Sequence, residues 1–249
     1  MALADNLQGW WCPSLDTSGN GTTTLTDLSG NGNNGTLTNM DAATDWVADT
    51  DNGGVRALAL SGTSQYVDLG VTPGDFGTTD FAVMCWYKGS AGGNIVVNND
   101  GGNVGINIET VSNVFGNKAQ ISFRDSVQGA KQFQGADGDI NDGTWHCIVV
   151  NFDRDANCTV YDDGVSVGST SMSAHVGNIG GVLPLLIRGR FLQTHRVDGV
   201  ATWVGRILTS DEITQLYNGG RSLNLLSTGA TIVPQLLLRR RRLFGGLVI

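Results

Sequence analysis

The chain has 249 residues, 36 of them glycine and 4 proline, with 40% hydrophobic and 15% charged residues. This is enough apolar material for a buried core and excludes a disordered chain, while the glycine and the abundant Asn, Asp, Ser and Thr argue for tight turns between short strands and against long helices. A formal charge of −8 argues against generic binding of the body to nucleic acid or anionic membrane, and no segment reaches the roughly 18 apolar residues of a membrane span.

In chain order, the first predicted strand is Leu7–Cys12, followed by Asp27-Leu-Ser-Gly-Asn-Gly-Asn-Asn-Gly35, too rich in Gly and Asn to be anything but a shaped loop. Thr36–Thr38 follows, then Ala57–Leu60 and Gln65–Leu69, which the intervening Ser61-Gly-Thr-Ser64 joins in the manner of a hairpin. Phe81–Tyr87 is apolar on both alternating faces, as a central strand beneath a second layer should be. Further strands are predicted at Asn94–Asn98, Val104–Thr110, Ala119–Arg124, Trp145–Phe152, Cys158–Asp162 and Leu185–Arg188, a regular spacing that means a sandwich or barrel. One helix is predicted. Thr209 and Glu212 have capping-box spacing, Ile213, Leu216 and Tyr217 share a face, and Gly219 supplies a stop. Cys12, Cys85, Cys147 and Cys158 lack metal-ligand spacing and lie in or beside apolar runs, so buried thiols are expected.

Four segments in this order resemble the laminin-G-like, concanavalin A-like lectin/glucanase jelly rolls found in phage and bacterial surface proteins. They are Gly9-Trp-Trp with Asp27–Thr36; Ala57–Gly70 leading to Phe81–Lys88; Asp142-Gly-Thr-Trp-His-Cys-Ile-Val-Val150 with Thr159-Val-Tyr-Asp-Asp-Gly164; and Val197–Val200 with Leu208–Ile213 and Leu216–Gly220. The resemblance implies an all-β, two-sheet antiparallel jelly-roll sandwich over residues 1–220, with one short helix near its end and loops that bind calcium, glycans or proteins in some relatives. Residues 221–249 are read as a separate arm.

Asp27, with oxygens of Asn31, Asn33 and Asn34, could supply much of a calcium site, since calcium takes six to eight oxygens. The resemblance adds Asp198 as the residue that completes the cage, although relatives often show two adjacent acids where this chain has Asp198-Gly-Val. The competing reading is that Asp27 caps its loop through backbone N–H groups. Of the six tryptophans, Trp10, Trp11, Trp86 and Trp145 have core-like contexts, whereas Trp46 and Trp203 are flanked by polar or turn residues and are candidate sugar-stacking platforms. The three histidines have no metal spacing, His146 is read as structural, and the acids fall in turns rather than as the alternating pairs of a glycosidase, so no catalysis is expected.

From Arg221 onward there are five arginines and no acid, leaving ten cations and 23 anions, or −13, in the first 220 residues. In the arm, Leu236, Leu237, Leu238, Leu243 and Phe244 flank Arg239, Arg240, Arg241 and Arg242. A free arm of this kind seeks a partner, so it is expected to dock on its own sandwich, on a second copy in a homo-oligomer or on virion proteins. Met1-Ala-Leu-Ala-Asp-Asn6 has neither the basic nor the apolar region of a secretory signal, so no export is expected, and by family analogy the expectation is a non-catalytic phage virion surface component, a capsid decoration protein or a fibre or tail adhesin, assembled in the host cytoplasm and meeting host or environmental glycans. The alternatives are a bacterial carbohydrate-binding or adhesion module, at the cell surface or secreted, and then a glycoside hydrolase.

Overall fold

A computed structural model describes residues 1–62, 64–99, 102–111, 117–135, 139–188 and 194–227. Its strands are β1 (Leu7–Trp11), β2 (Thr24–Leu25), β3 (Gly35–Thr38), β4 (Trp46–Ala48), β5 (Arg56–Leu60), β6 (Tyr66–Asp68), β7 (Phe81–Lys88) and β8 (Gly93–Val97). They continue with β9 (Gly105–Thr110), β10 (Ala119–Arg124), β11 (Lys131–Gln134), β12 (Trp145–Phe152), β13 (Asn157–Asp162), β14 (Val165–Ser171), β15 (Leu186–Arg188) and β16 (His195–Val204), and α1 (Ser210–Gly219) follows. All pairings are antiparallel and form two eight-stranded sheets. The inner sheet runs β14-β13-β12-β7-β16-β5-β4, with β1 also on β16; the outer sheet runs β11-β10-β9-β8-β15-β6-β3-β2. The two-sheet sandwich expected from the sequence is the fold.

The chemistry of β7 and β12 explains their place. Every residue of β12 and all but Lys88 of β7 are buried, because one alternating set faces the outer sheet and the other faces a second apolar layer. Between the sheets lie Val83, Cys85, Ile148 and Val150 with Ile106, Ile108, Ile121 and Ile187. Within that core Phe76 stacks on Phe81 with ring centroids 4.1 Å apart, Phe81 on Phe152 at 4.2 Å, and Phe152 meets the edge of Phe123 at 5.9 Å. On the far side of the inner sheet Met84, Trp86, Trp145, Cys147, Val149 and Trp203 are covered by Leu3 and Leu7, by Ile213 and Leu216 of α1, and by Leu225. All four cysteines are buried and free.

The expected hairpin of Ala57–Leu60 with Gln65–Leu69 does not form. β5 joins β4 and β16 in the inner sheet, and β6 joins β3 and β15 in the outer. Leu58, Leu60 and Val67 share the core between the sheets, so the two runs pack face to face instead of pairing. The capping box at Thr209 and Glu212 is present. The helix stop is Gly220 rather than Gly219: its φ is 72°, and a Cβ there would sit 2.5 Å from the Asn52 carbonyl oxygen.

Residues just beyond Gly220 pack on the body. Arg221 is buried at 1% exposure and Leu225 packs in the layer over the inner sheet, because Arg221 neutralises acids inside the body. The arm residues from Leu236 to Phe244 lie outside the described residues. Among those described, no helix is long and apolar enough to cross a membrane.

Candidate functional site: a polar hollow on the outer sheet

The residues singled out in the sequence do not gather at one place. Asp27 behaves as a loop cap: Oδ1 accepts from the backbone N–H groups of Trp10 (3.1 Å) and Ser29 (2.9 Å), and Oδ2 from that of Asn33 (2.9 Å). The Asn34 side-chain oxygen accepts from the Asp27 N–H, the Asn33 carbonyl accepts from the Trp11 indole, and the Asn31 amide donates to the carbonyls of Leu7 and Gln8. Asp198 belongs to another cluster. Its carboxylate accepts from the backbone N–H and hydroxyl of Ser14, the Cys12 thiol and the Gly199 N–H, and lies 3.7 Å from Arg221. A calcium cage needs oxygens turned toward one point. The oxygens of Asp27 and Asn34 and the Asn33 carbonyl are directed at N–H groups, and those of Asp198 at Ser14, Cys12 and Gly199, a separate set of partners, so the residues do not assemble the expected cage.

Around Arg221 the structure builds a buried charge network. The guanidinium donates to the backbone carbonyls of Asp49 and Asp51 and lies over the Trp145 ring, 3.9 Å from its centroid. Asp49 accepts from Arg196 at 2.6 Å and from the Trp145 indole at 3.0 Å. Burial raises the Asp49 pKa, but these donors outweigh it and bring it down to about 2. For Asp198 burial wins, and its pKa rises to about 6 despite Ser14 and Arg221. This network holds the chain after α1 against β12, β16 and the β4–β5 turn.

His146 lies at the start of β12 among acids, with Nδ1 3.1 Å from Asp162 and 3.4 Å from Asp163 and Nε2 3.4 Å from Asp142. Burial pulls its pKa down, yet hydrogen bonds to Asp162 and Asp163 and their charge raise it to about 10. The ligand atoms of His146, Asp162 and Asp163 lie within 4.8 Å of one another, so this trio could hold a divalent cation by giving up the proton. With the proton in place, its stabilisation is complete below histidine's ordinary pKa of about 6.5 and is lost as pH rises through the folded value. The unfolding midpoint of the wild type therefore falls between about pH 7 and pH 10 by more than that of His146→Gln; equal falls would show that the cluster adds no stability.

Neither tryptophan expected to stack on sugar forms an open platform. Trp203 is fully buried and its indole donates to the Leu3 carbonyl at 2.7 Å, so its ring faces are covered by the amino-terminal segment. Trp46 is half-buried, packs on the core edge and donates to the Thr22 carbonyl. Trp10, Trp11, Trp86 and Trp145 are core residues.

The outer sheet holds what sequence reasoning missed. In β9 and β10 one alternating set, Ile106, Ile108, Ile121 and Phe123, enters the core. The other set therefore faces away from it. Registers place Gln132, Ser122, Asn107 and Val97 in one row across β11, β10, β9 and β8, and Gln134, Gln120, Glu109 and Asn94 in the next. Their side chains are linked: Gln134 donates to Gln120 at 2.9 Å, Gln120 to Glu109, and Asn94 to Asn107. Above them opens a hollow of about 560 Å³, whose lining among the described residues includes Asn94, Asn107, Glu109, Ser122, Arg124, Gln132 and Arg188 and no aromatic ring. Amides offer both donors and acceptors, and a concave surface with convergent polar groups is the usual form of a small-ligand site. The signal was the strict alternation in Ala119-Gln-Ile-Ser-Phe-Arg124.

Residues 61–214 match the family described as the concanavalin A-like lectin/glucanases superfamily, laminin-G type. The chain belongs to this superfamily. No curated protein matches its sequence. Similar folds include the binding domain of Paraclostridial Mosquitocidal Protein 1, at TM-score 0.68 and 18% identity over 87% of this chain and 53% of that one. The ligand-binding domain of botulinum neurotoxin serotype D, solved in complex with N-acetylneuraminic acid, has TM-score 0.63 and 13% identity over 87% of this chain and 51% of its own. The receptor-binding domain of botulinum neurotoxin D has TM-score 0.64 and 12% identity, with 88% and 54% covered. The chain thus spans about half the length of each solved domain. This superfamily member has the fold of a lectin-like binding domain.

Proposed function

We propose that the chain is a non-catalytic glycan-binding module whose ligand lies in the hollow on the outer sheet. The observation that carries the reading is an asymmetry of cover. The inner sheet has apolar layers on both faces, whereas the outer sheet turns a row of linked amides, a hydroxyl and two guanidinium groups into an open hollow. Glycans are recognised by hydrogen bonds to many hydroxyls, which amides can both give and receive. Among the described lining residues Glu109 is the single carboxylate and it is engaged by Gln120, while glycoside hydrolysis in most families uses two facing carboxyl groups. Similar folds that are receptor-binding or ligand-binding domains, the latter solved with N-acetylneuraminic acid, support a glycan ligand by analogy of fold.

Asn107→Ala and Gln132→Ala each weaken glycan binding about tenfold, as losing one or two hydrogen bonds does, and leave the unfolding midpoint unchanged. Titration calorimetry against glycans selected on an array reads this. Undiminished binding by both variants would move the site elsewhere, and release of reducing ends would replace a binding module by an enzyme.

A further inference from the structure

We propose that the hollow takes an anionic oligosaccharide, with carboxylate or sulfate groups held by Arg124 and Arg188; this rests on the hollow being the glycan site. The commitments of the other arginines point to these two. Arg56 donates to the Asp16 carbonyl, Arg154 to the carbonyls of His175 and Gly177, Arg196 to Asp49, Arg206 to Glu212 and Arg221 to the Asp49 and Asp51 carbonyls. Among the described residues the guanidinium groups of Arg124 and Arg188 make no hydrogen bond or ion pair, and both line the hollow.

That placement is unusual for a chain of net charge −8 with 23 acidic residues. Among the described residues no acid pairs with these cations, and the Glu109 carboxylate accepts from Gln120. Both arginines are half-buried, so a ligand settling over them strips water from charged groups, a cost offset only when the ligand supplies acceptors. A guanidinium presents a planar fork that matches carboxylate or sulfate oxygens two at a time. Arg124 is on β10 and Arg188 on β15, with β9 and β8 between them, which puts their strands about 14 Å apart at three strand spacings. Such a separation suits charges on different rings of one oligosaccharide.

The test uses the full chain with Arg239, Arg240, Arg241 and Arg242 all replaced by glutamine, so that the arm's charge takes no part. Its binding is measured to hyaluronan and polygalacturonate oligosaccharides, to their carboxyl-reduced neutral counterparts, and to chondroitin sulfate and dextran. The expected result is at least tenfold tighter binding of the carboxylated or the sulfated set than of the neutral set, whichever wins naming the anion. The pair Arg124→Gln and Arg188→Gln abolishes that preference, bringing the anionic sets down to the affinity of the neutral set, and keeps the unfolding midpoint. Equal affinity for carboxylated, sulfated and neutral glycans that still depends on Asn107 and Gln132 would overturn the anionic class and leave the hollow as the site. A preference that persists in the double variant overturns the role of the two arginines, and no binding to any of these glycans overturns the glycan reading itself.

Discussion

Replacing Arg221 by alanine lowers the unfolding free energy by about 3–5 kcal/mol, the usual cost of removing one partner from a buried ion pair. The reason lies in what the guanidinium leaves behind. Asp198 is fully buried, and its pKa stands near 6 even with Arg221 beside it. Without that partner the carboxylate must either stay charged in a dry site or take up a proton. Asp49 keeps Arg196 and the Trp145 indole, so the loss concentrates on Asp198. Because the folded state binds this proton more tightly than the unfolded chain, lowering the pH below about 6 favours folding at this site. The deficit of Arg221→Ala is therefore smaller at about pH 5 than at about pH 8, and adding Asp198→Asn recovers part of it. Urea unfolding of the three proteins at both pH values reads all of this. A single variant within 1 kcal/mol of wild type would show that the pair contributes only what exposed ion pairs do, roughly 0–1 kcal/mol.

Phe152→Ala costs about 3–5 kcal/mol by leaving a cavity in the core between the sheets. Phe152 belongs to the inner sheet, stacks on Phe81 and meets the edge of Phe123 from the outer sheet. Its loss thus loosens the contact between sheets as well as removing apolar area. Val165→Ala is the comparison, because Val165 is 64% exposed on the edge strand β14 and its truncation should stay within about 0.5 kcal/mol. Similar midpoints for the two variants in thermal unfolding would contradict this account of the core.

The sequence was most legible where burial acts on both faces of an element. Phe81–Tyr87 and most of Trp145–Phe152 are apolar at successive positions, and they form the central strands of the inner sheet. Thr209 and Glu212 announced the helix by chemistry that needs no tertiary context. Val165–Ser171 was missed because, in an edge strand of Ser, Gly and Thr, Val167 is the one side chain that packs against the core. Trp203 was misread from its neighbours in sequence: the layer that covers it comes from Leu3, which is 200 residues away. Asp27 and its asparagines suited a cap and a cage equally, since both use the same oxygens, and only geometry separates them. For the hollow, alternation in β9 and β10 shows that two faces differ. It does not show that the polar face bends into a site, because that depends on which strands become neighbours.

The apolar layer over the inner sheet also fixes which way the molecule presents itself. Leu3 and Leu225, near the two ends of the described chain, both pack in that layer, and the hollow opens on the opposite side of the sandwich. A linker joined before the exposed Met1 departs from the back, so copies tethered by it to a bead or a sensor chip would turn their hollows outward together. Such a display raises the effective concentration of second and third sites along one polysaccharide, and a weak single contact becomes a durable one when the spacing lets several engage at once.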